Sequence, residues 1–312
     1  MSPADKKIIS IIIATFQRPD LLKDALNSIL GCELNDSFDY EVIVADNDSR
    51  DHTQQVVENL MPDFQGRLKY VLEAKKGKSF AINTGILESK GSYIAITDDD
   101  CLIDKNWIST IHSTFAVCDL DILSGKVIPL FDQEKPDWID FNVNFFQGPM
   151  VYFNMGDSYL DNAKRPMFAA GANLILKRSS IERFGLFQKE ARSQDTEICH
   201  RWQNQGAKMG YDPNLVVYHK TPLSRLNKNY FRQWQFTLGK NAVEIFFYER
   251  YYFQESKRNC FKIPLWLYRR ILSSIGRYLK QMFIGKATFA DELSVWFHSG
   301  ELCGLWSQYH AV

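Results

Sequence analysis

Three aspartates in succession, Asp98, Asp99 and Asp100, follow an apolar run at residues 93–97. Carboxylates this close repel one another, and a cation or a set of donors must offset that cost. Hard oxygen ligands suit Mg2+ or Mn2+, and a metal held by few carboxylates keeps positions for phosphate oxygens. Such a site can hold a diphosphate in a chain that has neither G-x-x-x-x-G-K nor G-x-G-x-x-G. A solvated acidic turn is the competing reading of the triplet alone. Asp46 ends a second apolar run, where an Asx-turn is the plain alternative. Asp195 opens a helical stretch and reads equally well as its cap. Glu197 precedes Arg201 by four residues, the spacing of a surface ion pair. His219 follows a short strand-like run and reads by itself as a partly buried histidine.

These residues need elements to position them. Residues 8–15 form a continuous β-branched run, the pattern of a strand buried on both faces. Pro19 suits a first helical turn, and Leu21, Leu22, Ala25, Leu26, Ile29 and Leu30 continue at helical spacing. Strands are expected at 41–45, 68–72 and 93–97, with helices at 53–60 and 79–88 between them. This alternation predicts a parallel, doubly wound α/β sheet. Ligands of such sheets bind outside the carboxyl ends of the strands. Thr15 to Pro19, Asp46 to Ser49 and Asp98 to Asp100 all fall at such ends. Further on, 168–177 and 215–218 read as strands and 195–205 as a helix. Residues 129–165, rich in Pro, Gly and aromatics, read as a long ordered loop over a site. From about 226 the pattern is helical, aromatic and basic.

The chain has 312 residues, room for one large domain with an extension. Lys+Arg and Asp+Glu balance at 37 each, so no global charge points to nucleic acid. The six cysteines show no zinc or redox spacing and read as reduced thiols of a cytosolic protein. The run after Lys6 and Lys7 is too short to span a bilayer.

The joint order of these features resembles the family 2 inverting glycosyltransferases of GT-A fold. The resemblance rests on ISIIIATFQRPDLL (10–22), VIVADNDSRDHT (42–53), KGKSFAINTGILESKGSYIAITDDDCLIDKNWI (76–108), MFAAGANLILKRSSIERFGLF (167–187) and SQDTEICHRWQNQGAKMGYDPNLVVYH (193–219). It implies a Rossmann-like, mostly parallel sheet flanked by helices over 1–225, to which the helical pattern of the residues adds an extension over 226–312. It implies a sugar moving from a nucleotide diphosphate sugar, UDP favoured, to a glycan or lipid-linked acceptor hydroxyl. On this resemblance Thr15, Arg18 and Asp46 would contact the base, with Asp48 nearby. Lys78 and Asn83 would line the nucleotide pocket. Asp98 would face ribose or sugar, with Asp99 beside it. Asp100 and His219 would hold Mn2+ or Mg2+, and Asp195 would be the general base. Ile82 stands where relatives often carry Arg, and Gln194 where they often carry Glu. A sugar nucleotidyltransferase and a degenerate nucleotide-binding protein without activity are the alternative readings.

Residues 257–286 hold eight basic side chains (Lys257, Arg258, Lys262, Arg269, Arg270, Arg277, Lys280, Lys286) and no acidic one. A helical wheel gathers Tyr268, Ile271, Leu272, Ile275, Leu279, Met282 and Phe283 on one face. Such a helix suits either an anionic membrane surface or packing on the catalytic domain. The first reading would place the enzyme peripherally on the inner face of a membrane.

Overall fold

Strand β1 (Lys7–Thr15) carries Ile11, Ile12 and Ile13 with no exposure at all. Consecutive apolar side chains point to opposite faces of a sheet, so both faces here are covered. Each such burial stabilises by about 1.5–3 kcal/mol. The structure, a computed structural model, describes residues 7–34, 37–163, 166–188, 193–247, 259–260 and 263–310.

After β1 come α1 (Pro19–Leu30), β2 (Phe38–Asp46), α2 (Thr53–Leu60), β3 (Leu68–Leu72), α3 (Lys78–Leu87), β4 (Tyr93–Asp98), β5 (Cys101–Ile103), α4 (Trp107–Val117) and β6 (Ile122–Phe131). Then follow α5 (Asn144–Gln147), β7 (Leu160–Asp161), β8 (Leu174–Lys177), α6 (Arg178–Phe184), α7 (Gln194–Asn204) and β9 (Met209–Thr221). The chain closes with α8 (Lys228–Phe247), β10 (Asn259–Cys260), β11 (Ile263–Pro264), α9 (Leu265–Phe283) and α10 (Phe289–His310).

The main sheet runs β3-β2-β1-β4-β8-β6-β9-β5, with β7 paired to β9. Strands β3, β2, β1 and β4 are mutually parallel. Strand β8 joins β4 and β6 antiparallel, and β5 joins β9 antiparallel. The doubly wound reading therefore describes the first half of the sheet. Residues 101–131 add β5, α4 and β6, which the strand-by-strand reading leaves unassigned.

The expected strand at 41–45 extends to Phe38–Asp46, and two others change more. Only Leu174–Lys177 of the 168–177 run is a strand, preceded by a 3-10 turn at Gly171–Asn173. The cause is Asn173, fully buried, whose amide donates to the Lys126 and Leu215 carbonyls and accepts from the Trp107 indole at 2.9 Å. A buried amide must be satisfied, and the chain turns to do it. The 215–218 run extends to thirteen residues as β9.

The chain divides into two compact units, one of residues 1–130 and 153–220 and the other of residues 131–152 and 221–312. In the first, Ile12, Ile43, Ile94, Leu174, Trp202 and Tyr211 belong to one buried cluster. In the second, Phe146, Met150 and Phe231 pack with Trp138 and Phe289. The Trp138 ring meets Phe231 and Phe289 edge-on, at centroid distances of 4.9 and 5.3 Å. Helices α8 and α10 approach through glycines: a Cβ on Gly300 would stand 2.1 Å from the Phe236 carbonyl oxygen. Lys257, Arg258 and Lys262 of the basic segment lie outside the described residues.

Candidate active site

The parallel register fixes where the polar residues emerge. Thr15 stands opposite Asp46, and Ala14 opposite Asp98, so three neighbouring strands end in one row. Beyond β1, Gln17 takes a positive φ of 53°, and its N–H meets the Ser49 hydroxyl at 2.8 Å. That turn delivers Arg18 to the aspartates. One guanidinium nitrogen reaches Asp99 at 3.3 Å and Asp100 at 3.2 Å.

Two of the triplet are buried, Asp99 and Asp100 at 5% and 6% exposure, and Asp98 is partly exposed. Asp99 also accepts from the Thr15 hydroxyl at 2.8 Å. Burial pushes the Asp99 carboxyl up to about 6; Asp100 adds to this, while Thr15 and Arg18 oppose it. Asp98 pairs with Lys78, the first residue of α3. Burial works against the Lys78 ammonium, but Asp98, then Asp195 and Asp100, outweigh it and raise its pKa. Lys78 lowers Asp98 in return, again against burial. Lys78 therefore lies in the field of both the aspartate triplet and Asp195.

Asp195 sits in the first turn of α7, whose cap position belongs to Ser193. One carboxylate oxygen accepts from Gly171 N–H at 2.9 Å, and the other from Thr196 N–H at 2.8 Å. Glu197 forms the expected ion pair with Arg201, which also donates to the Phe184 and Leu186 carbonyls.

His219 is 3% exposed, and its Nε2 lies 3.2 Å from an Asp100 oxygen. Pairing of β5 with β9 sets Cys101 directly opposite His219. Asp100, Cys101 and His219 thus bring three donor atoms within 4.8 Å of one another. Burial, and then Asp98 and Asp100, hold the Cys101 thiol pKa well above its usual value. A carboxylate with an imidazole fits Mn2+ or Mg2+ chemistry. The charge fits as well: four carboxylates (Asp98, Asp99, Asp100, Asp195) face two cations (Arg18, Lys78), which leaves two negative charges before any charge on His219.

Three expected nucleotide contacts have other partners in the structure. Asn83 is 6% exposed, and its amide bonds both the N–H and the carbonyl of Phe187, at 3.1 and 2.9 Å. It ties α3 to the chain before α7. Thr15 is 3% exposed and engaged by Asp99. Asp46 is 1% exposed, accepting from the Tyr70 hydroxyl at 2.7 Å and from Ser49 N–H at 2.9 Å. That second bond is the local turn which the sequence offers as the alternative for Asp46. Asp48 pairs with Arg50 at 3.5 Å, near the surface. Ion pairs connect Arg18, Asp99, Asp100 and His219, and Lys78 with Asp98, while Asp195 acts on Lys78 through its charge.

Sequence reasoning misses Tyr70, Cys101 and the Gly171 N–H. Tyr70 belongs to an expected strand, and alternation along β3 would have put it on one face with Leu68 and Leu72. Cys101 depends on the β5–β9 pairing, which no local pattern announces. A backbone donor leaves no mark among side-chain types.

The family model for glycosyl transferase family 2 matches residues 10–184, more than half of the chain. Glycosyltransferase AglE of Haloferax volcanii is 24% identical over 286 residues, covering 88% of this chain and 84% of its own. The succinoglycan biosynthesis protein ExoM of Rhizobium meliloti is 23% identical over 238 residues, covering 76% of this chain and 75% of its own. Among solved structures, the mannosyltransferase PcManGT of Pyrobaculum calidifontis, in complex with GDP-Man and Mn2+, superposes with a TM-score of 0.62. It is 16% identical, over 97% of this chain and 88% of that one, so it speaks for the fold.

Proposed function

The chain belongs to glycosyl transferase family 2 and has the GT-A architecture, and from this premise we propose an inverting, metal-dependent transfer of sugar from a nucleoside diphosphate sugar, UDP favoured, to an acceptor hydroxyl. Glycosyl transfer in glycan biosynthesis is what the family and its relatives share. The donor base, the metal requirement, a lipid-linked acceptor and a place on the cytoplasmic side of a membrane are our reading.

One observation carries it. Lys78 pairs with Asp98 at the end of β4, and the charge of Asp195 also raises its pKa, so an anion-binding cation and the proposed base lie within each other's field. Asp195 takes the proton of the acceptor hydroxyl as that oxygen attacks the anomeric carbon. The Gly171 N–H holds one carboxylate oxygen and so fixes the direction of the other. Lys78 and Arg18 offer positive charge to the diphosphate that leaves. Asp100 and His219 would hold the divalent ion, whose chemistry is to stabilise the charge on the leaving diphosphate. One displacement inverts the anomeric centre and needs no covalent sugar intermediate. The Asn83 clamp and the buried Thr15 and Asp46 support the walls of the site in this reading.

Thermal unfolding with UDP, TDP, GDP and ADP, each with and without Mn2+, tests the proposal. A nucleotide at about 100 times its dissociation constant adds about 2.7 kcal/mol. Stabilisation by UDP only in the presence of Mn2+ is the expected result. If no nucleotide stabilises with metal, the reading fails.

A further inference from the structure

Helix α9 has two apolar stripes, and the packing of its own unit covers one. Leu267, Ile271 and Ser274 are buried, with Ile263 and Leu305 in the same cluster. The second stripe is Leu272, Leu279 and Phe283, spaced seven and eleven residues from the first and so on one line of the helix. They are 67%, 56% and 94% exposed, and Met282 and Ile284 beside them are 53% and 50% exposed. The face expected from the sequence is thus divided: Ile271 turns inward, Tyr268 and Ile275 lie at the border, and the rest faces out.

Single exposed apolar side chains are ordinary, but a contiguous line of them marks a contact surface. Charge identifies what the contact is. Arg269 and Lys280 flank the line on one side, with Arg277 further round, and all three are exposed. Arg270 pairs with Glu301. Among the described residues the other three form no ion pair. No acidic residue occurs between 265 and 286. A second copy of this chain would bring the same cations against these. A nucleic acid would meet the cations but leave the leucines and Phe283 without apolar cover. An anionic bilayer satisfies both stripes, hydrocarbon for the apolar line and headgroup phosphates for the basic flank. No helix among the described residues is long and apolar enough to cross a membrane, so the contact is one of surface.

We infer that α9 lies on an anionic lipid surface, with Leu272, Leu279 and Phe283 at the acyl boundary and Arg269, Arg277, Lys280 and Lys286 against lipid phosphates. This deepens the lipid-linked acceptor of the proposed function and rests on that reading for its purpose, although its physics belongs to α9 alone.

The test is co-sedimentation of the full chain with vesicles of phosphatidylcholine alone or with an equal part of phosphatidylglycerol. Binding to the mixed vesicles at low salt, weakened by added salt, is expected. The double variant Leu279→Ser/Phe283→Ser loses at least about a hundredfold in affinity. Arg269→Gln/Lys280→Gln loses about thirtyfold. These side chains are exposed, so both variants keep the wild-type melting temperature. Donor hydrolysis also stays unchanged in both, which separates failure of the membrane contact from failure of the transferase reading. Three results overturn the inference. The wild type does not sediment with mixed vesicles at low salt; or the serine variant binds like the wild type while the glutamine variant does not, which marks a general polyanion contact; or the wild type forms a dimer that the serine variant abolishes.

Discussion

The unit of residues 1–130 and 153–220 buries β-branched strands and gathers charge at their ends. The unit of residues 131–152 and 221–312 buries aromatic rings between helices, with described ion pairs such as Arg232–Glu292 only partly exposed at its edges. In the first, neighbouring strands are held by backbone hydrogen bonds, and polar side chains at the ends are free to converge. In the second, helices hold their backbone bonds internally, so specificity comes from side-chain shape and close approach. Chemistry in one and packing in the other is the lesson of the contrast.

The largest effect should come from Asp195→Asn. Loss of a general base lowers turnover by about 10²–10⁴. Stability and nucleotide binding, read by calorimetry, should stay near the wild type. Full turnover in this variant would remove Asp195 from its role and blur the contrast at its root. The next effect belongs to the helical unit. Gly300→Ala forces a Cβ to 2.1 Å from the Phe236 carbonyl oxygen and should destabilise by about 1–3 kcal/mol in urea unfolding. Gly276 of α9 has nothing within 4 Å of an added Cβ, so Gly276→Ala should instead stabilise by about 0.4–1 kcal/mol. If the two alanine variants behaved alike, close helix approach would not be what holds α8 to α10.

The smallest effect is one of pH. The Arg232 hydrogen bonds hold Glu292 below its ordinary value of 4.5, against burial. A depressed carboxyl contributes stability above its unfolded value and loses it as pH falls through the folded one. The gap in unfolding free energy between wild type and Glu292→Gln, about 0.2–1 kcal/mol at pH 7 and read by urea unfolding, should therefore close as pH falls below 4.5. A gap that persists in acid would assign the effect to shape instead of charge.

The parallel half of the sheet was legible because β-branched runs such as 8–15 have only one comfortable environment. Strand β3 agrees with its expected bounds, 68–72, and α2 with 53–60. Helix α4 was legible but unread: Trp107, Ile108, Ile111 and Phe115 sit at helical spacing and are all buried. The antiparallel half was hidden because its pairings join distant segments, as Cys101 with His219 does. The grouping of 131–152 with the C-terminal helices was hidden for the same reason. Within the site, acidic side chains announced themselves by type. What Thr15 and Asn83 hold did not, since an amide or hydroxyl names its partner only once the chain is folded.

The row formed by Thr15, Asp46 and Asp98 has a consequence for descent. Each residue stands at or next to the last paired position of its strand, so a residue inserted beyond it leaves the ladder intact. An inserted or deleted residue inside β1 would instead turn every following side chain to the wrong face. Lineages of this fold should therefore diversify their substrates by replacing residues at the rim and by lengthening the loops beyond it, while strand interiors tolerate almost no change in length. The rim can be rewritten over generations because the core beneath it keeps count.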